Sequence, residues 1–235
     1  MWTIALSLVA LQSAPEFNLR GKEREAAGDT AAAILDLRRA VELDRYQESY
    51  YFDLGEVLLR HQNFDAAVAV LEASKQVFAR SAQLELMLGV AYYGQRRFAD
   101  AVSAFLRTAA IAPEVPQPYL FLGRILGHAE GRMAEVLARF SAFARQNPRS
   151  HVAQFLYGKA LAAQPGTEAE AEKRLRRSVE LDASFWESRF ELAQLLERRR
   201  DWKGAAAQFE AAARLNPASP APHYRLARIY DRLGQ

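Results

Sequence analysis

The sequence AQLELMLGVAYYGQRRFADAVSAFLRTAAIAPEV, at residues 82–115, decides the fold of this chain. It holds two runs of helix length in which apolar residues recur at intervals of three and four. Gly89 lies within the apolar face of the first run, and Pro113 closes the second run, where an α-helix cannot continue. The stretch therefore predicts two amphipathic α-helices that pack against each other.

Small residues recur along the whole chain in register with Gly89. From Gly21 onwards the successive steps are 34, 34, 34, 35, 35 and 34 residues. The later members of the column are Gly55, Gly89, Gly123, Gly158, Ala193 and Ala227. Where two antiparallel helices cross closely, a side chain larger than a methyl group would hold their backbones apart. The column therefore predicts a close helix crossing in every repeat.

Two columns of large apolar residues keep the same register. One follows three residues after the small residue: Leu58, Tyr92, Leu126, Leu161, Leu196 and Tyr230. The other lies in the second helix of each pair: Leu37, Leu71, Phe105, Phe140, Leu175 and Phe209. We expect these two columns to fill the core of each helix pair beside the small residue.

The columns resemble the pattern of the tetratricopeptide repeat family over about residues 14–235. The resemblance implies an all-α fold, a right-handed α-solenoid of antiparallel helix pairs with about 13 repeat helices plus a possible N-terminal helix. We expect one array, 14–235, made of repeats 14–47, 48–81, 82–115, 116–150, 151–185 and 186–219 and a half repeat 220–235.

Some features depart from the family pattern. Arg20 and Arg24 stand where the first repeat should have apolar residues, so its first helix is expected to be displaced or only partly packed. The fourth and fifth repeats each have one extra residue, which we place in the turn between the two helices. A 35-residue period also raises the pentatricopeptide family, which reads RNA, but most steps here are 34 residues.

The apolar segment Trp2 to Leu11 (WTIALSLVAL) leaves two interpretations open within residues 1–13. It has the length of the apolar region of a signal peptide, but no Lys or Arg precedes it. The alternative is an extra segment that packs over the first repeat. No apolar run reaches the roughly 20 residues that span a bilayer, so we expect no membrane span. A cytoplasmic location is favoured over export.

The composition argues against several kinds of chemistry. The chain has no cysteine, which excludes disulfides, thiolate metal sites and a cysteine nucleophile. Its four histidines lie in different repeats, and no glycine-rich phosphate loop is present. The formal charge of +3 is too small to indicate nucleic acid binding. We therefore expect no enzyme activity, metal or cofactor. The excess of arginine over lysine favours a bacterial source.

In the tetratricopeptide family the first helices of successive repeats line the concave face. The resemblance implies that residues at the inner positions of these helices contact a ligand. The candidates are Phe52, Met87, Val90, Tyr93, Phe121, Arg124, Phe155, Lys159, Phe190 and Arg225. Most are apolar and lie beyond the columns that fill the helix-pair core, and contiguous apolar surface is typical of an interaction site. The alternative is that tight curvature buries part of this stripe.

We expect a non-catalytic scaffold that binds a protein or peptide in this groove, with apolar side chains and some negative charge in the ligand. The rival interpretation is an accessory region of a larger enzyme or of an exported assembly complex, truncated at Gln235. The oligomeric state stays open, with self-association through a terminal repeat as a third possibility.

Overall fold

The computed structural model describes residues 13–129 and 131–234, which form thirteen α-helices, one short 3₁₀-helix and no β-strand. The α-helices are α1 Ala14–Ala26, α2 Thr30–Leu43, α3 Glu48–Arg60, α4 Phe64–Ser74, α5 Ala82–Gly94, α6 Phe98–Ile111, α7 Gln117–Arg124, α8 Met133–Gln146, α9 His151–Ala162, α10 Glu168–Leu181, α11 Trp186–Arg198, α12 Trp202–Leu215 and α13 Pro220–Leu233. The predicted all-α fold class is confirmed. The predictions for residues 1–12 and for Gln235 lie outside the described residues.

The chain forms two compact units. The N-terminal unit ends at Ile111 and contains α1 to α6, and the C-terminal unit begins at Ala112 and contains α7 to α13. In each unit most successive helices pack as neighbours along the chain, and Tyr119 of α7 stacks on Phe143 of α8 with 4.1 Å between the ring centres. No helix in the described part of the chain is both long and apolar enough to cross a membrane.

Short turns join the two helices of most pairs, and side-chain caps start the second helix. Asp29 and Asp201 accept backbone N–H bonds from the first turns of α2 and α12, which satisfies donors that have no partner within the helix. The preceding turns contain a residue with positive φ, such as Gly28 at 84° and Arg200 at 61°. This left-handed residue reverses the chain within three residues, so the two helices of a pair lie antiparallel.

The small-residue column works as the sequence predicts. Phe105 is fully buried on α6, and its ring lies so close to Gly89 that an added Cβ would be 2.5 Å from Cε1. In the C-terminal unit, Leu175 takes the same place against Gly158, with 2.9 Å from an added Cβ to Cγ. Both units therefore build the core of a repeat by placing one large side chain over a residue that has none.

Polar contacts explain the two arginines that break the pattern in the first repeat. Arg20 donates two hydrogen bonds of 2.6 Å to the carboxylate of Asp36, and Arg24 lies 2.8 Å from the same group. Asp36 is 5% exposed on α2, and the hydrogen bond from Arg20 lowers the pKa of its carboxyl group. Helix α1 buries only Ala14 and Gly21, so ion pairs supplement a small apolar contact.

The fourth and fifth repeats have the longest turns between paired helices. Helix α7 ends at Arg124 and is followed by a 3₁₀-helix, Leu126–His128, before α8 begins at Met133. In the next repeat, residues 163–167 separate α9 from α10. These longer connections open the surface of the C-terminal unit on the side where the candidate site lies.

Candidate inner-face binding site

An open cleft of about 590 Å³ lies on the first-helix side of the C-terminal unit. Its lining includes Leu126, Gly127, Gly131, Met133, Lys159 and Arg198. A Cβ at Gly127 or Gly131 would meet no atom of the described residues within 4 Å, so these two positions leave open space at this edge of the cleft. The early end of α7 and the two glycines together account for the opening.

Lys159 is the sequence-predicted residue that the cleft contains. Its ammonium group lies 3.5 Å from Glu191 and 5.8 Å from the centre of the Phe155 ring. About 30% of the Lys159 side chain is exposed, whereas Glu191 is 18% exposed. An ion pair of this length at a partly exposed site holds the lysine weakly, so the ammonium group is available to an incoming anion.

Arg198, at the end of α11, is the cleft residue that the sequence analysis missed. Its Nη2 donates a 3.0 Å hydrogen bond to the backbone carbonyl of Ala162 at the end of α9. This bond fixes the guanidinium group at the rim, and the other N–H donors of Arg198 have no hydrogen-bond partner among the described residues. Arg198 is the thirteenth residue of its repeat, an inner-face position, so the repeat register could have identified it.

A second cavity, of about 440 Å³, shares Ala162, Ala163, Gln164 and Arg198 with the cleft. It extends to Pro165 in the long turn of the fifth repeat and to Arg199. The two cavities are therefore continuous along the turn side of α9 and α11.

The other predicted residues of the C-terminal unit differ in exposure. Arg124 is exposed and forms no ion pair with the described residues, while Arg225 lies 3.2 Å from Glu197. Phe121 and Phe190 are half-buried, and Phe190 packs edge-on against Phe209 at 5.6 Å. Phe190 therefore also contributes to the core of its own helix pair.

Phe155 lies mostly below the surface. It is 9% exposed and meets Phe185 edge-on, with the ring centres 5.2 Å apart. Its role in this unit is to form the apolar floor under Lys159, because little of its ring is left for a ligand. The burial of Phe155 agrees with the alternative interpretation of the sequence, in which tight curvature buries part of the apolar stripe.

Predicted residues of the N-terminal unit form a less open surface. Met87 is 8% exposed, and its methyl group lies against Gly55 of the neighbouring first helix. Phe52, Val90 and Tyr93 are half-buried. The structure thus places Met87 in the packing between α3 and α5 and leaves the other three partly accessible.

Charged residues of the N-terminal unit surround a smaller cavity of about 230 Å³. Lys22 lies 3.3 Å from Asp53, and Arg60 lies 3.1 Å from Glu25 and 2.6 Å from Glu56. A hydrogen bond with His61 lowers the pKa of Glu25. The two cations of this lining pair with its three carboxylates, which leaves the lining with one negative charge in excess.

The described residues contain no group of three or more His, Asp or Glu side chains arranged to hold a metal ion. The polar groups of the cleft are instead a lysine, an arginine, a glutamate and a glutamine. These groups can pair with charges and donate hydrogen bonds, and their arrangement is one that recognises a polar or anionic ligand.

Comparison with known proteins addresses the family directly. One sequence profile, described as tetratricopeptide repeat, matches three overlapping ranges, 18–83, 52–116 and 86–135. A second profile of the same description matches residues 186–229. No curated protein matches the chain significantly.

Solved structures with the same fold include three at 18% identity or less. YrrB, described as a TPR protein with an unusual peptide-binding site, has a TM-score of 0.63 and 16% identity, covering 80% of this chain and 96% of that one. MamA from Desulfovibrio magneticus RS-1 has a TM-score of 0.61 and 18% identity, covering 74% and 98%. PilF of Pseudomonas aeruginosa has a TM-score of 0.61 and 18% identity, covering 92% and 97%. These similarities concern the fold, and together with the repeat profiles, which match more than half of the residues, they show that the chain belongs to the tetratricopeptide repeat family.

Proposed function

We propose that this protein is a non-catalytic scaffold that binds a peptide segment of a partner protein in the cleft of the C-terminal unit. The observation that carries the proposal is the open cleft of about 590 Å³, which combines apolar surface with Lys159 and Arg198. Concave sites with a few placed polar groups are the usual binding sites of proteins. The peptide-binding site described for YrrB, a protein of the same fold, agrees with this proposal.

The cleft indicates the chemistry of the ligand. Half-buried Met133 offers an apolar contact on one side, and Lys159 and Arg198 bring two positive charges beside the carboxylate of Glu191. A peptide with apolar side chains and at least one carboxylate fits this lining, because the carboxylate would pair with Arg198 and share Lys159 with Glu191. Arg124 is exposed on the preceding first helix and adds to the positive potential.

Partner capture from the source organism tests the proposal with Lys159→Glu and Arg198→Glu as binding variants. The matched control is Lys173→Glu, an exposed lysine on the second helix α10. We expect each cleft variant to weaken the affinity for the captured partner by tenfold or more, since a reversed charge repels the ligand carboxylate. The control should bind as the wild type does. Equal affinity of all four proteins would contradict the proposed site.

A further inference from the structure

An apolar groove of about 340 Å³ lies in the N-terminal unit between the second helices α2 and α4. Val41 of α2, Leu54 of α3 and Val70 of α4 form its apolar lining, and exposed Ala69 and Ala73 form a wall without long side chains. Apart from Arg38 and Glu42 of α2, its lining carries no charge. The groove is on the opposite side of the helix pairs from the inner-face cavity of this unit.

Large apolar side chains are also exposed near this groove. Leu35 on α2 is 68% exposed and lies one turn before Arg38, which lines the groove. Leu43 at the end of α2 is 44% exposed, and Tyr46, in the connection to α3, is 67% exposed. The first repeat thus leaves apolar surface open both in the groove and beside it. Such a concentration of exposed apolar side chains is typical of a surface that is covered in the functional protein.

One end of the groove lies where α1 begins. Ala14, the first residue of α1, is buried in a cluster with Ala40 and Tyr50, and Val41 packs against the same cluster. Val41 also lines the groove. The N–H group of Ser13 donates a 2.7 Å hydrogen bond to Glu16, which fixes the start of α1 at this place. The chain that precedes Ser13 is therefore attached close to Val41, a residue of the groove lining.

We propose that the uncharged segment 2–11 of the same chain packs into this outer groove and covers it. The segment contains eight apolar residues, Thr3 and Ser7, so it matches the apolar lining in character. The groove residues of α4 run from Ala66 to Ala73, a distance of about 10 Å at 1.5 Å per helical residue. Ten residues span about 15 Å as a helix and up to about 33 Å when extended, so the segment is long enough in either conformation.

Disulfide cross-linking tests this proposal cleanly because the natural chain has no cysteine. In the full chain, Ala69→Cys is combined in turn with Ile4→Cys, Leu6→Cys and Leu8→Cys. The matched control places the second cysteine at Ala207, an exposed alanine of α12 at the same repeat position as Ala69. The protein is oxidised at low concentration, and non-reducing electrophoresis with peptide mass spectrometry identifies the products.

We expect at least one pair with Ala69→Cys to form a disulfide within the monomer at least tenfold faster than its Ala207→Cys counterpart. Equal rates would overturn the proposal and leave the groove to a separate partner. Disulfides that form only between two chains would overturn it in favour of a second copy. A purified chain that begins after Leu11 would also overturn it, because segment 2–11 would then be a removed leader.

A second measurement does not depend on introduced cysteines. Ala69→Glu places a charge in the groove and should lower the Tm of the full chain, since segment 2–11 would be displaced, while Ala207→Glu should leave the Tm unchanged. An unchanged Tm for Ala69→Glu would contradict the proposal, because a glutamate on an open surface costs little.

Discussion

The two units use the same helix-pair repeat but present opposite charges. The N-terminal unit has 12 Lys and Arg against 14 Asp and Glu, a formal charge of −2, whereas the C-terminal unit has 19 against 14, a charge of +5. On the inner face of the N-terminal unit, Lys22 and Arg60 pair with carboxylates of the same unit. In the C-terminal unit, Arg124 forms no ion pair with the described residues, and Lys159 borders an open cleft.

This difference shows that the residues of the core columns and the residues of the inner surface can change independently of each other. Gly89 with Phe105 and Gly158 with Leu175 build the same core contact in the two units. The residues that face outward from the first helices vary freely, because they do not take part in that contact. The comparison predicts that core variants affect the two units alike, while surface variants affect them differently.

The largest effect is expected from removing a core ring in each unit. Phe105 in the N-terminal unit and Phe209 in the C-terminal unit are both fully buried at the same repeat position. Each Phe→Ala change leaves a cavity and should lower the free energy of unfolding by about 3–5 kcal/mol. Urea denaturation measures this loss, with the exposed Ala207→Ser as the control.

Hydrogen exchange shows whether the damage stays within one unit. In a repeat protein each repeat contacts only its neighbours, so Phe105→Ala should speed exchange in α5 and α6 more than in α11 and α12, and Phe209→Ala should do the reverse. If either variant increased the exchange rate equally in both units, this expectation would be wrong, because the two units would then unfold together.

A smaller effect is expected from Asp36, which has no equivalent in the C-terminal unit. Its pKa is lowered by the hydrogen bond from Arg20, so its contribution to stability is fully present above the unfolded-state pKa near 3.8 and is lost as the pH falls from there through the lowered folded-state pKa. We expect Asp36→Asn to lower the Tm by about 3–6 °C at pH 7 and by less at pH 2.5.

Thermal unfolding followed by circular dichroism between pH 2.5 and pH 7 measures the Asp36 effect. The control is Asp65→Asn, an exposed carboxylate on α4 of the same unit. If Asp36→Asn lowered the Tm equally at both ends of the pH range, the ion pair would not be the cause of its effect.

The sequence predicted the parts of the fold that repeat. The small residues and the large apolar columns sufficed to place Phe105, Phe140 and Phe209 in the core, because a helix crossing at a fixed spacing requires them. Arg20 and Arg24 suggested a poorly packed first helix. Their partner Asp36 was not predicted from the sequence, because a charged residue on the second helix is ordinarily expected to face water.

The candidate site was less predictable, because curvature and helix ends determine it. Whether Met87 and Phe155 face a ligand or a neighbouring helix depends on the angle between successive first helices, and the repeat period does not contain that angle. The cleft arises where α7 stops at Arg124 after only eight residues. Only the extra residue in the fourth repeat hinted at this irregularity, so the sequence identified Lys159 but not the cleft around it.

The smallest effect is expected from a hydrogen bond that both units repeat. Tyr92 donates its hydroxyl to Glu72, and Tyr230 donates to Glu210 at 2.7 Å, in each case to a glutamate 20 residues earlier. Tyr92 is 6% exposed, and burial raises its pKa to about 12, whereas Tyr230 on the terminal helix α13 is half-buried. We expect Tyr92→Phe to cost about 1 kcal/mol of unfolding free energy and Tyr230→Phe to cost less.

Urea denaturation of the two Tyr→Phe variants measures this pair, and ultraviolet titration of the wild type checks the ionisation of Tyr92. A phenol whose pKa is raised stays protonated through the alkaline range, so the Tyr92 part of the titration should appear near pH 12 and be missing in Tyr92→Phe. Equal losses of unfolding free energy in Tyr92→Phe and Tyr230→Phe would contradict this expectation. They would mean that burial does not strengthen the hydrogen bond, so that it stabilises the terminal helix as much as an inner one.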